Sequence, residues 1–396
     1  MIYKLCRANY EFHLVSQVFA THRGIKTEDT MFSKVVQNHS YKYGQQRALD
    51  RYVREMDQRF PDTIERSFYL VSNITMEERK TRYTEVFENS TFETPKKYLA
   101  LQFAPACRLG NNLFELSSLI GMSKTLKRIP VVHVNRGMEG MIRRVNETIP
   151  GILDQVLVIN GNVTSNYKKV FFSKRCCVFE DPRVLSAIDS QFLFVDSYFY
   201  QSYKYFPDLQ KSLISWMRHS TEFQNLPESN DRNYVICAHT RRGDFVAYNF
   251  AATDENFLRG ALSFIADSRE AKKKILKIVM FGDDEKFMRN IFKDTVLSSD
   301  ENIPQNSTHF VSKNKPSVDL IYSKNHCDVV LITAPHSTFG WWMGYVSKGN
   351  TVYYQDIRVT NDVLYKRGNI NPPDFYLPKW TALRLAIDNV TVIESP

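Results

Sequence analysis

The chain predicts an α/β fold made of two strand-and-helix series with a ligand cleft between them. Three observations predict it. From Lys97 onward, short apolar runs bounded by turn residues alternate with segments whose apolar residues recur at helical spacing. A second series of the same kind begins near Asn233. In each series a polar, glycine-containing loop directly follows the leading strand, at Arg108–Asn111 and at His239–Asp244, where a parallel sheet presents its ligand-binding loops.

In chain order, residues 1–95 are polar and charge-mixed, with few glycines (Gly24, Gly44); they read as a stem-like N-terminal extension with some helix around Tyr41–Phe60. Tyr98–Phe103 is a buried strand stopped before Pro105. Leu113, Leu116, Leu119, Ile120 and Leu126 then mark one face of a helix that starts near Gly110 and Asn111. Val131–Val134, Val156–Ile159 and Phe192–Val195 are further strands. In the second series, Tyr234–Ala238 is a strand followed by the polar loop His239–Phe245. Lys277–Phe281 is a strand, and Gly282-Asp283-Asp284-Glu285 opens a helix. Val318–His326 is a helix and Val329–Thr333 a strand. Ser337 and Thr338 cap a helix carrying Phe339, Trp341, Trp342 and Tyr345, and Thr351–Tyr354 is the last strand. At helical spacing the two tryptophans read as core. The domains are therefore 1–95, 96–230 and 231–396, the last two Rossmann-like.

Composition removes several function classes. The 396 residues are 43% hydrophobic and 24% charged, which excludes wholesale disorder and collagen-like structure. The net charge of +9 is spread along the chain. Its densest cluster, Lys272–Lys274 with Lys277, leads into an apolar strand and reads as a solvated helix end, so no nucleic-acid partner is expected. A mild positive excess suits an anionic small molecule in a cleft. Six cysteines without C-x-x-C exclude a zinc ribbon or thioredoxin site and leave the pairing open. Seven N-x-S/T sites, at Asn38, Asn73, Asn89, Asn146, Asn162, Asn306 and Asn389, lean toward the secretory pathway. Met1–Ala20 carries no apolar h-region, and no run of about 18 apolar residues occurs. The expectation is either a cytosolic protein or a chain lacking an upstream segment.

The chemistry concentrates in His239-Thr-Arg-Arg-Gly-Asp244, which offers two guanidiniums and a carboxylate directly after a strand, with a glycine that lets a ligand approach the backbone. Arginine is the residue for bidentate phosphate contacts. The chain has no D-x-D, no G-x-G-x-x-G, no G-x-x-x-x-G-K-[ST] and no H-E-x-x-H. A bound pyrophosphate would then be held by arginines and helix N-termini, with no metal cofactor.

His239–Asp244 matches the H-x-R-R-x-D motif of α1,2-, α1,6- and O-fucosyltransferases. Cys107-Arg-Leu-Gly-Asn-Asn-Leu-Phe114 resembles their G-R-L-G-N-Q-M-F loop. Phe199–Phe206 resembles a G-Y-F-Q-S-x-K-Y-F segment. Pro335–Trp342 resembles an N-S-T-F-S-W-W stretch, with Asp319-Leu320 upstream. In order and spacing, Lys97 to Thr391 resembles glycosyltransferase family 11, the galactoside 2-α-L-fucosyltransferases. Two departures stand out: Cys107 where the family has glycine, expected to restrict the loop, and Gly282 where it has Ser or Thr.

The resemblance implies a GT-B-like fold, with 96–230 on the acceptor side and 231–396 binding GDP-fucose. It also implies inversion at the anomeric carbon without a required metal, a glycan acceptor with terminal galactose or a similar sugar, and a lumenal Golgi membrane location through an anchor not visible here. It implies roles too. Arg241 or Arg242 pairs with the β-phosphate, and Asp244 orients one of them. Arg108, Gly110 and Asn111 face fucose and diphosphate. Asp283 or Asp284 holds guanine or ribose. Ser337, Thr338 and Phe339 lie at the donor, and His239 shapes its loop. Asp244 and His336 both remain open as the general base.

Overall fold

The computed structural model describes residues 96–396 except 135–136, 160–166, 198, 221, 269–272, 293–295 and 298–307. The expected helix at Tyr41–Phe60, the extension 1–95 and the sequons at Asn38, Asn73, Asn89, Asn162 and Asn306 lie outside the described residues. Backbone contacts divide the chain into Met1–Thr91 and Phe92–Pro396, and every element below belongs to the second unit.

The first sheet has five parallel strands: β1 (Tyr98–Leu101), β2 (Ile129–His133), β3 (Leu157–Ile159), β4 (Tyr167–Phe171) and β5 (Phe192–Asp196). Their order is β3-β2-β1-β5-β4. Leu99, Ala100, Leu193 and Val195 are fully buried, as strands covered on both faces require. Helix α1 (Leu109–Leu126) links β1 to β2, ending in Lys127 at φ 51°, and α2 (Met138–Thr148) follows β2.

The second sheet has eight strands: β6 (Asn233–His239), β7 (Ile275–Phe281), β8 (Val296–Leu297), β9 (His309–Val311), β10 (Val329–Ile332), β11 (Thr351–Gln355), β12 (Thr381–Leu385) and β13 (Val392–Glu394). Their order is β13-β12-β11-β10-β6-β7-β9-β8, and only the β12–β13 pair is antiparallel. The connecting helices are α3 (Gly243–Ala247), α4 (Glu255–Ala266), α5 (Glu285–Ile291), α6 (Pro316–His326) and α7 (Thr338–Val346). Apolar residues of β6, β7, β10 and α4 form the core, among them Ile236, Ala238, Met280, Leu331, Phe257 and Leu262. Cys237 of β6 is disulfide-bonded to Cys327, just before β10.

The α/β class and the two Rossmann-like sheets match the sequence reading. Thr351–Tyr354 is not the last strand, because β12 and β13 extend the sheet. Arg384 breaks the apolar run of β12 and β13 has only three residues, so neither registers as a strand. Trp341 and Trp342 are fully buried, as expected of core residues. They pack on Phe114 of α1 with ring centroids 4.5 and 5.3 Å away, and Trp342 Nε1 donates to the Gly110 carbonyl at 2.9 Å. The helix after β10 is thereby fixed to the helix after β1.

Candidate active site

In each sheet the chain reverses direction beside its central strand, between β1 and β5 and between β6 and β10. Such switch points open a crevice at the carboxyl ends of the strands. Here the loops from both switch points line one cavity of about 490 Å³. Cys107, Arg108, Gly110 and Asn111 follow β1, and Phe199 and Gln201 follow β5. Arg241, Asp244 and Phe245 follow β6, and His336, Ser337, Thr338 and Phe339 follow β10.

The two adjacent arginines take different paths. Arg241 Nε and Nη2 donate to the two oxygens of Asp244, both at 2.8 Å, and Asp283 Oδ2 lies 3.2 Å from the same Nε. Its Nη1 makes no hydrogen bond to the described residues. Arg242 turns outside the cavity wall. Its Nη1 donates to the Thr253 carbonyl at 2.8 Å, and its guanidinium lies 4.4 Å from the centre of the Phe287 ring. Of the two arginines, Arg241 is the one that lines the cavity. Arg242 is anchored by packing that a linear motif does not encode.

Burial works against the Asp244 carboxylate, but the Arg241 hydrogen bonds and the charges of Arg241 and Arg108 hold its pKa below the usual range. Arg108 Nη2 lies 3.5 Å from Asp244, on a side chain 67% exposed and free to swing toward a ligand. Asp283 and Asp284, expected at guanine or ribose, stand behind the arginine loop. Asp283 accepts the Arg242 backbone N–H at 2.9 Å, and Asp284 caps α5 through the Phe287 N–H at 2.9 Å. Neither lines the cavity, and both brace the arginine loop.

His239 sits behind the wall, not in it. It is 2% exposed, and its Nε2 lies 3.4 Å from Ser337 Oγ. Burial, followed by the Arg241 charge, pushes its pKa down to about 3, so the imidazole is neutral. A Cβ on Gly340 would stand 2.7 Å from His239 Nδ1, so the glycine lets α7 close over the ring.

Two helix N-termini meet at the cavity. Thr338 Oγ1 and Gln201 Nε2 both donate to Asn111 Oδ1, at 2.9 and 3.1 Å. A Cβ on Gly110 would lie 2.7 Å from Thr338 Oγ1, so only glycine permits this approach of α1 to α7. Ser337 caps α7. The first-turn N–H groups and positive dipole ends of both helices favour an anion there.

Sequence reasoning missed the supports below this loop. Arg144 Nη2 donates to the carbonyls of Pro105 and Cys107 at 2.8 and 2.9 Å and to Asn112 Oδ1 at 3.0 Å. Glu115 accepts the Ala104 N–H at 2.9 Å. Glu115, flanked by Leu113, Phe114, Leu116 and Leu119 on the buried part of α1, was the available signal. Phe199 and Tyr200 stand at φ 58° and 51°, a left-handed pair of non-glycine residues beside the cavity. The Tyr200 hydroxyl donates to the Val195 carbonyl at 2.8 Å, and Ser118 Oγ donates to the Tyr200 carbonyl at 3.0 Å, which holds the pair in place.

Cys107 is the free cysteine among the described residues, and its φ is not left-handed. The expected conflict with a glycine position does not arise. Gly282 has its own reason: a Cβ there would stand 2.1 Å from Thr240 Oγ1. Cys176 and Cys177 are also paired. His336 Nδ1 bonds Asp362 Oδ2 at 2.6 Å. Of the described sequons, Asn389 lies on an exposed turn between β12 and β13, whereas Asn146 lies within α2 with its Thr148 buried. No described helix is long and apolar enough to cross a membrane, and no described group of three or more His, Cys, Asp or Glu could hold a metal ion.

The family model for glycosyl transferase family 11 matches residues 70–384, so the similarity begins before Lys97. A second family model, the glycosyl-transferase for dystroglycan, matches residues 1–61. A putative galactoside 2-alpha-L-fucosyltransferase of Caenorhabditis elegans, svh-11, is 42% identical over 308 residues, covering 77% of this chain and 84% of its own. A galactoside 2-alpha-L-fucosyltransferase of the same organism is 32% identical over 307 residues, covering 71% and 75%. Among solved structures, a mutant of Arabidopsis thaliana FUT1 in complex with GDP aligns with a TM-score of 0.39 at 11% identity, over 73% of this chain and 76% of that one.

Proposed function

Because the chain belongs to glycosyl transferase family 11, we propose that it moves L-fucose from GDP-fucose to a glycan hydroxyl, forming an α1,2 linkage to a terminal galactose. The observation that carries this reading is the convergence of Arg241, Arg108 and the N-termini of α1 and α7 on one cavity. That is a site for a diphosphate. The names of the nematode relatives supply the sugar and the linkage.

An acceptor hydroxyl attacks C1 of fucose from the face opposite the diphosphate, so the anomeric configuration inverts. Negative charge grows on the β-phosphate as the C1–O bond breaks. Arg241, held rigid by Asp244, presents its Nη1 donors to that charge, a contact stronger in the transition state than in the ground state. Arg108 closes over the diphosphate from the other sheet. These cationic donors take the place of a metal cofactor. The lumenal Golgi location remains part of this proposal, supported by the exposed sequon at Asn389. The rival reading of the sequence, a GDP- or carbohydrate-binding homologue without turnover, would bind GDP and transfer no fucose.

The test is transfer from GDP-fucose to a β-galactoside in EDTA, with the product's linkage read by NMR. Fucose on O2 of galactose supports the reading. No transfer, transfer to another position, or a rate restored only by Mn²⁺ refutes the corresponding part.

A further inference from the structure

Among the described residues, the cavity wall contains one carboxylate, Asp244, and one imidazole, His336. Both Asp244 oxygens are occupied by the Arg241 guanidinium at 2.8 Å, with Arg108 3.5 Å away. Taking a proton would break that fork just when Arg241 must hold the leaving phosphate. His336 is arranged differently. Its Nδ1 bonds Asp362 Oδ2 at 2.6 Å. Its ring is stacked on Phe245 with centroids 4.7 Å apart and meets Phe250 edge-on at 4.6 Å. Its Nε2 has no partner among the described residues.

Asp362 is built to stay ionised and in place. Its side chain is fully buried. One oxygen accepts the N–H groups of Leu364 and Tyr365 at 2.9 and 3.1 Å, and the other accepts Ala251 N–H at 2.8 Å as well as His336. Burial opposes the charge, but the His336 bond and the backbone N–H donors hold the carboxyl below its usual range. An ionised carboxylate on Nδ1 fixes the tautomer that leaves the Nε2 lone pair free, and it stabilises the imidazolium that forms when Nε2 takes a proton.

We propose that His336 is the general base of the transfer, with Asp362 as its positioning residue; this rests on the fucosyl-transfer reading above. The acceptor O–H bond breaks and its proton goes to His336 Nε2. The oxygen's electron pair forms the bond to C1. The C1–O bond to the β-phosphate breaks, and its pair leaves on GDP. The imidazolium then returns the proton to solvent. The charged or titratable groups around His336 are Asp362 on its Nδ1 side, Arg108, Lys174, Arg241 and Asp244 in the cavity wall, and Tyr376, whose hydroxyl donates to the Pro335 carbonyl at 3.0 Å.

His336→Asn and His336→Gln keep an amide near one ring nitrogen and remove the base. Both are expected to lower kcat by about 10²–10⁴-fold, with the Kd for GDP and the KM for acceptor within about twofold of wild type. The acid-side fall of kcat, present in wild type, should be absent in both. Asp362→Asn should give a smaller loss of kcat, again with GDP binding intact. The proposal is overturned if either His336 variant keeps kcat within about threefold. It is equally overturned if kcat and GDP binding fall together, which marks a structural role. Should the His336 variants not fold, the Asp362→Asn profile decides: an acid limb identical to wild type, with unchanged kcat, overturns the dyad. Wild-type enzyme that transfers no fucose overturns the fucosyl-transfer reading and this one with it. Wild-type transfer that survives loss of His336 overturns this one alone.

Discussion

Glu115 should make this protein less stable as pH rises through neutrality, and Glu115→Gln should remove that loss. The side chain is 1% exposed, and burial pushes its pKa from 4.5 up to about 7, against the opposing hydrogen bonds from Ala104 and Asn112. Between those two values the folded protein holds a proton that the unfolded chain has released. Stability therefore falls across that window as pH rises, and the loss is complete above about 7. At about 1.4 kcal/mol per pKa unit, the difference is on the order of 3 kcal/mol. Glutamine copies the neutral form and still accepts the Ala104 N–H. Urea unfolding of both proteins at pH 5 and pH 8 measures the effect. Wild type should lose roughly 3 kcal/mol more than the variant between the two pH values, equivalent to roughly 5–10 °C in Tm for a unit of this size. Asp319, which burial also raises to about 7, tilts both curves alike, so only the difference between the proteins reports Glu115. Equal pH slopes in the two proteins would refute the reasoning.

Arg241→Lys should lower kcat by about 10²–10³-fold with a smaller change in donor affinity, because lysine has no fork to bridge Asp244 and the phosphate. Arg242→Lys should act mainly on stability, through the contacts to Thr253 and Phe287, and leave kcat within about tenfold; steady-state kinetics that rank the two the other way would invert the assignment. Gly282→Ser should destabilise by about 1–3 kcal/mol in chemical denaturation, because the new Cβ meets Thr240 Oγ1 and the Thr240 carbonyl. Cys107→Gly should leave kcat unchanged and cost about 0.4–1 kcal/mol through a freer unfolded chain; a gain in activity would show that Cys107 does constrain its loop.

Much of the site was legible in the sequence because the chemistry of a parallel sheet sits in the few residues after each strand. The loop after β6 announced itself by two arginines, a glycine and an aspartate. The loop after β1 did so by Gly110 and Asn111 at a helix start, and the loop after β10 by Ser337 before an aromatic helix. The alternation of apolar runs was enough to place the main strands, since burial on both faces demands unbroken apolar residues. The edge strand β13 was too short to carry that signal, and Arg384 interrupts it in β12.

The sequence by itself determined the class of fold, the cationic loops and their place at the strand ends. Only the tertiary structure decided which of those groups reach the cavity. Arg241 and Arg242 are chemically identical neighbours, and what separates them is that Asp244 and Asp283 hold one while Thr253 and Phe287 draw the other away. Asp244 was expected to orient one of the two arginines, and the fold shows it gripping Arg241 through both carboxylate oxygens. His336 looks like an isolated loop histidine until Asp362, 26 residues later, is found against its Nδ1. Arg144 and Glu115 lie on helices whose pattern says only that one face is buried, yet their hydrogen bonds hold the Ala104–Cys107 segment from below. The physical reason is common to all of these. Side-chain type and local spacing are written along the chain, whereas the protonation, orientation and availability of a polar group depend on partners that only the folded packing of distant strands brings within hydrogen-bond range.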